Sequence, residues 1–163
     1  MYVRSPQGNK EDDEEMKFGK IRTLRGQISV TGGVGRKNLI LSDGLINYGL
    51  RITRFSMWST LTPTGGSNQK FTGILSLDTI SSGSQMSASD NRQFAWTSYS
   101  TLTTGLISPI REIIDPDHIV NRDLFLTMND TSSGTFNYLI ECQVVELTDD
   151  EAIITIIKET SQS

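Results

Sequence analysis

The chain has 163 residues, a formal net charge of −4, 36% apolar residues, 14 glycines, one cysteine and one histidine. That length suits one domain able to bury a core without staples, and a lone Cys142 excludes an intrachain disulfide framework. No apolar run approaches the roughly 20 residues of a membrane-spanning helix, and Met1 to Lys17 hold no apolar stretch of signal-peptide type, so a soluble protein made in the cytosol of some cell, with no membrane partner, is expected.

Residues 1–17 read as a flexible acidic tail, because Ser5-Pro6-Gln7-Gly8-Asn9 interrupts regular structure and Glu11 to Glu15 repel one another. From Phe18 the pattern turns to strands, and Ile28-Ser29-Val30-Thr31 alternates before the turn Gly32-Gly33-Val34-Gly35. Lys37 to Ser42 carries Leu39-Ile40-Leu41, and Asp43-Gly44 signals another turn. Tyr48 to Ser59 is a long strand whose apolar side switches near Arg54: Leu50 and Ile52 fall on one face, Phe55 and Met57 on the other. A bulge or a change of sheet would produce that switch.

Thr62 to Asn68 is a loop, Phe71 to Ile80 a strand, and Ser81 to Asp90 a Ser-rich loop. Gln93 to Leu102 is strand-like with Phe94 and Trp96 on one face. Gly105 to Asp117, bracketed by Pro109 and Pro116, reads as irregular with room for one helical turn at Ile110 to Ile114. Ile119 to Met128 reads as one strand. Thr135 to Leu147 alternates most cleanly, with Phe136, Tyr138, Ile140, Cys142 and Val144 opposite Asn137, Glu141 and Gln143. Thr148-Asp149-Asp150-Glu151 is a capping box for a short C-terminal helix over 148–163, with Ile153, Ile156, Ile157 and Thr160 on one side. About eight strands with regular turns and one helix make an all-β protein, an antiparallel β-sandwich or barrel-like double sheet over 18–147.

The residues hold no recognisable catalytic or metal-binding motif. His118 stands beside Asp117 without a nucleophile or fixed partner, and one His with one Cys cannot make a zinc site. Asp115 and Asp117 match no calcium-loop spacing. Thr31 to Lys37 lacks the Gly-Lys-Ser/Thr ending of a phosphate loop. Glu141 and Asp78 fit solvent-facing positions as well as apolar ones, and Cys142 reads as a small buried hydrophobe. No catalytic residue, metal ligand or cofactor site is expected, and the chain is not read as an enzyme.

Charge is unevenly distributed. Residues 16–55 hold Lys17, Lys20, Arg22, Arg25, Arg36, Lys37, Arg51 and Arg54 against Asp43, whereas residues 107–163 hold three basic and eleven acidic side chains. The basic set is a candidate face for packaged nucleic acid or for a neighbouring subunit. Asp149, Asp150 and Glu151 are a candidate acidic face for the same contact between copies. Trp58, Trp96 and Tyr99 are candidates for a sugar-stacking platform, with packing in the core as the competing reading.

Three stretches occur together: Gln27-Ile28-Ser29-Val30-Thr31-Gly32-Gly33 with Asp43-Gly44 after it; Asp90-Asn91-Arg92-Gln93-Phe94-Ala95-Trp96; and Tyr138-Leu139-Ile140-Glu141-Cys142 through Thr148-Asp149-Asp150-Glu151-Ala152-Ile153-Ile154. The set resembles small jelly-roll-type coat proteins of marine, environmental single-stranded DNA viruses. The resemblance implies a single two-sheet jelly roll, identical subunits assembling into a closed shell around a genome, and residence in the virion after synthesis in a host cell's cytoplasm or nucleus. It carries over no catalytic residue. Small coat proteins usually begin with a basic arm that neutralises genome phosphates; here the arm is acidic, Glu11 to Glu15. Either the basic strands of 17–54 then face the interior, or genome packing relies on another protein. The alternative function is a carbohydrate- or receptor-binding β-sandwich module or a virion decoration protein.

Overall fold

The strongest period-two pattern in the chain forms the strand around which the first sheet is built. The computed structural model describes residues 17–41, 47–60, 69–80, 86–101, 107–130 and 134–161. Among them the elements run β1 (Lys17–Val30), β2 (Val34–Leu39), β3 (Tyr48–Ser59), β4 (Gln69–Ser76), β5 (Gln93–Thr101), β6 (Ile107–Ile114), β7 (Ile119–Val120), β8 (Leu124–Asp130), β9 (Gly134–Glu146) and α1 (Asp149–Ser161). The acidic tail up to residue 16, the Asp43-Gly44 turn, the 62–68 loop and the first part of the 81–90 loop lie outside the described residues.

The strands form two antiparallel sheets, in the orders β1-β9-β3-β7 and β2-β8-β4-β5-β6. The pairs are nested: β1 with β9, β2 with β8, β3 with β7 and β4 with β5. A long antiparallel hairpin rolled up so that its strand pairs fall alternately into two facing sheets has this order, which is that of a jelly roll. The core lies between the sheets. Phe55, Ile52 and Met57 from β3, Leu124, Leu126 and Met128 from β8, and Phe136, Ile140 and Cys142 from β9 are all nearly inaccessible.

Local features place the strands. At the first corner, Gly32 and Gly33 have φ of 64° and 90°, and Thr31 bridges Val34 across them. Two successive positive φ values give the tight turn whose twist suits the strands it joins, and glycine adopts them without strain. The switch near Arg54 is a bulge: Ile52 pairs with Cys142 and Arg54 with Glu141, so Thr53 is the extra residue. Leu50, Ile52, Phe55 and Met57 therefore all turn towards the core. A second bulge, between Leu75 and Ser76, leaves Phe94 as the extra residue of β5. Phe94 enters the core while Trp96, the partner of Ile74, faces outward, which separates two side chains that simple alternation placed together.

Two stretches differ from the sequence-based expectation. Ile107–Ile114 is a strand, not irregular chain with a helical turn. It is the outer edge of the second sheet, where a row of N–H groups needs no partner, so Pro109 is tolerated. The single strand expected over 119–128 is two, β7 in the first sheet and β8 in the second, with residues 121–123 crossing between them. Asp123 holds that crossing by accepting a hydrogen bond from the Leu41 N–H at 3.0 Å.

The helix begins as its sequence implies. The Thr148 N–H donates to Glu151 Oε2 at 2.9 Å, and the Glu151 N–H donates to Thr148 Oγ1 at 3.3 Å, the reciprocal bonds of a capping box. Asp149, Asp150 and Glu151 occupy its first turn.

Candidate assembly surfaces

The eight basic residues singled out from the sequence do not share one face. Cross-strand partners point to the same side of a sheet. On β9, Glu141 and Gln143 point away from the core; Arg54 is opposite Glu141, Arg51 opposite Gln143 and Arg25 opposite the outward Leu139. These three arginines share the outer face of the first sheet with Trp58, which is 46% exposed. Arg54 lies 3.7 Å from Glu141, and the Arg51 guanidinium sits 5.8 Å from the centre of the Phe18 ring. Both pairs are at the surface, where such contacts contribute under about 1 kcal/mol.

The other five go elsewhere. Arg22 is opposite Cys142, on the core side of β1, but lies where that strand runs on beyond the short β2 and so remains exposed. Lys37 closes the edge between the sheets: its Nζ donates to the Gln27 carbonyl at 3.0 Å and lies 5.4 Å from the centre of the Tyr138 ring. Arg36 is on the outer face of the second sheet, where its Nε donates to the Ile80 carbonyl at 3.2 Å. Lys17 and Lys20 are exposed on the first residues of β1. Arg36 and Lys37 thus serve the fold, and the outward cationic surface of the first sheet reduces to Arg25, Arg51 and Arg54.

The three candidate stacking aromatics are also dispersed. Trp58 is outside the first sheet and Trp96 outside the second. Tyr99 packs against the core, stacked on Phe71 with ring centres 5.4 Å apart. They form no common platform.

The Asp90-to-Trp96 motif is a fastening for the segment that folds over the second sheet. Arg92 donates from Nε and Nη2 to the two carboxylate oxygens of Asp90, both at 2.9 Å. The guanidinium holds the Asp90 carboxyl below its ordinary range, chiefly through those hydrogen bonds. Gln93, nearly buried, accepts at Oε1 from the Ser87 N–H at 3.0 Å and from the Trp96 indole N–H at 2.8 Å. Ile80 is carried down onto this face, where Ile74 and Thr127 are inaccessible.

Beside that fastening is an open apolar cleft of about 210 Å³, lined by Met86, Ala88, Trp96 and Ile113 together with Arg111 and the β5 residues Thr97 and Ser98. Met86 and Ile113 are 44% and 56% exposed. No simple pattern in the sequence announces this cleft, because it depends on the bulge that turns Trp96 outward and on β6 being a strand.

A second apolar surface is on α1. Val145 is opposite Gly49, out of phase with the inward series of β9, and with Leu147, Ala152 and the half-buried Ile119 it forms a small cluster outside the first sheet. Ala152 is the side chain of α1 that this cluster buries. Ile153, Ile154, Ile156 and Ile157 remain 41–59% exposed. The isoleucine side of the helix is therefore turned to solvent.

The remaining reactive groups are held in local packing and turns. His118 stacks on Phe94, ring centres 4.7 Å apart and planes 3° from parallel, and burial pushes its pKa below the ordinary 6.5 despite nearby Asp115. Cys142 is buried, its thiol 3.4 Å from the Arg22 carbonyl, and burial pushes its pKa up, which suppresses the thiolate. Among the described residues no three His, Cys, Asp or Glu side chains converge as a metal site would require. Asp115 instead accepts the Asp117 N–H at 3.1 Å in a local turn. Asp78 likewise accepts the Thr79 N–H and hydroxyl. No family model matches the chain, and no curated protein matches it.

Proposed function

We propose that the chain is a viral coat protein, a non-enzymatic structural subunit that self-assembles into a shell enclosing the genome and resides in the virion. The observation that carries this is the nested strand pairing, β1 with β9 through β4 with β5, the strand order of a jelly roll. Such a fold serves many functions. It supports a shell subunit here together with the three sequence stretches that resemble coat proteins and with apolar surface left outside the sandwich. The outer face of the first sheet, with Arg25, Arg51, Arg54 and Trp58, is the surface suited to nucleic-acid phosphates and a stacked base. The alternative of a sugar-binding module loses its main support, since Trp58, Trp96 and Tyr99 are apart.

The test is to express the chain, fractionate it by size and image it by negative-stain microscopy. Uniform closed particles are expected, and their ultraviolet absorbance ratio reports whether nucleic acid is inside. A chain that stays monomeric at high concentration, across salt and pH, would sink the proposal. Nucleic acid held by the arginine face would be released as salt rises, and Arg51→Glu with Arg54→Glu would lower the packaged amount.

A further inference from the structure

Two apolar surfaces are unpartnered, and they lie on opposite sides of the molecule. One is the isoleucine side of α1, attached outside the first sheet at Val145 and Leu147. At 3.6 residues per turn, Ile153, Ile154, Ile156 and Ile157 cover an arc of about 160°. Ala152 is at the border of that arc, so the anchor leaves the apolar side free. A 13-residue helix is marginal on its own in water, and exposed apolar stripes of this kind mark contact sites.

The other surface is the cleft on the outside of the second sheet. Its 210 Å³ is below the roughly 300–1,000 Å³ of small-molecule sites, and suits inserted side chains better than a whole ligand. Its lining is apolar apart from Arg111 and the two β5 hydroxyl residues. The helix that would fill it carries Asp149, Asp150 and Glu151 in its first turn, opposite in charge to Arg111.

We infer that α1 of one copy docks in the Trp96–Ile113 cleft of a second copy, isoleucines inserted and the acidic first turn beside Arg111. An amphipathic helix laid in an apolar groove is a recurrent mode of recognition. The helix is anchored outside the first sheet and the cleft opens outside the second, so the helix is offered to the cleft of a neighbour. The contact is therefore heterologous, each copy giving its helix to one neighbour and its cleft to another, and it propagates into rings or larger assemblies. This rests on the coat-protein proposal for its biological meaning, but not for its geometry.

The test uses the full chain with single cysteines, Ile157→Cys on the helix and either Ile113→Cys or Met86→Cys at the cleft; buried Cys142 stays unreactive. Under mild oxidation a mixture of helix and cleft variants is expected to form an intermolecular disulfide, and neither variant alone. Self-linkage of Ile157→Cys would mean helix-to-helix pairing and would overturn the inference. Separately, Ile157→Asp and Arg111→Glu, with circular dichroism unchanged, are each expected to raise the concentration needed for self-association at least about tenfold; unaltered association by both overturns it. Closed shells without the mixed disulfide reject this contact and keep the coat proposal. A mixed disulfide in open chains that never close keeps the contact and rejects the coat. A monomer without any cross-link rejects both.

Discussion

Strand β9 and helix α1 are neighbours in sequence and both rich in aliphatic residues, yet the structure treats them oppositely. Along β9 the even-numbered side chains Phe136, Tyr138, Ile140 and Cys142 are buried, with β1 on one side and β3 on the other. Along α1, Ala152 is buried while four isoleucines stand in solvent. The difference is what lies opposite. β9 is central and faces a second sheet, whereas α1 follows the last strand and meets the outside of a sheet already closed. Apolar content alone does not make a core; a facing layer does.

Substitution should separate the two regions sharply. Phe55→Ala, in the layer packed around β9, removes a ring with 0% exposure and should cost about 3–5 kcal/mol in urea denaturation. Thr148→Ala removes one half of the capping box and should cost about 1 kcal/mol of helix stability. The loss should appear as reduced helical dichroism while the thermal midpoint of the sheets stays in place, because α1 is joined to the sandwich through a small cluster.

Acid should weaken the sandwich through His118 rather than through α1. His118 has a folded-state pKa below 6.5 because its ring is buried against Phe94. Below about pH 6.5 the unfolded chain takes up a proton that the folded chain refuses, so stability falls as pH drops from 6.5 towards the folded value and is unaffected above it. His118→Phe should flatten that part of the stability profile. A further loss is expected as pH falls below 3.8, where the unfolded chain protonates Asp90 while Arg92 still holds the folded carboxylate ionised. The smallest effect should come from α1 itself: in monomeric protein, Ile157→Ser should change unfolding free energy by less than about 0.5 kcal/mol, since the side chain is 59% exposed. A change comparable to that of Phe55→Ala would mean that the helix belongs to the core after all.

Part of this protein was legible in the residues alone. The alternation of Thr135 to Leu147, the Gly32-Gly33 turn and the Thr148-to-Glu151 cap each depend on residues within a few positions of one another, and each is found in the structure. The apolar switch at Arg54 was legible for the same reason, but it left a bulge and a change of sheet both open, and the pairing with β9 decides for the bulge. What a position faces, by contrast, depends on a partner far along the chain. The extra residue Phe94 sends Trp96 outward, the edge position of β6 makes Pro109 harmless, and eight cationic residues that look like one segment divide among two sheets and an edge. The cleft and the uncovered helix follow from that long-range pairing, because only the closing of one sheet over the other decides which apolar side chains are inside and which are left for a neighbour.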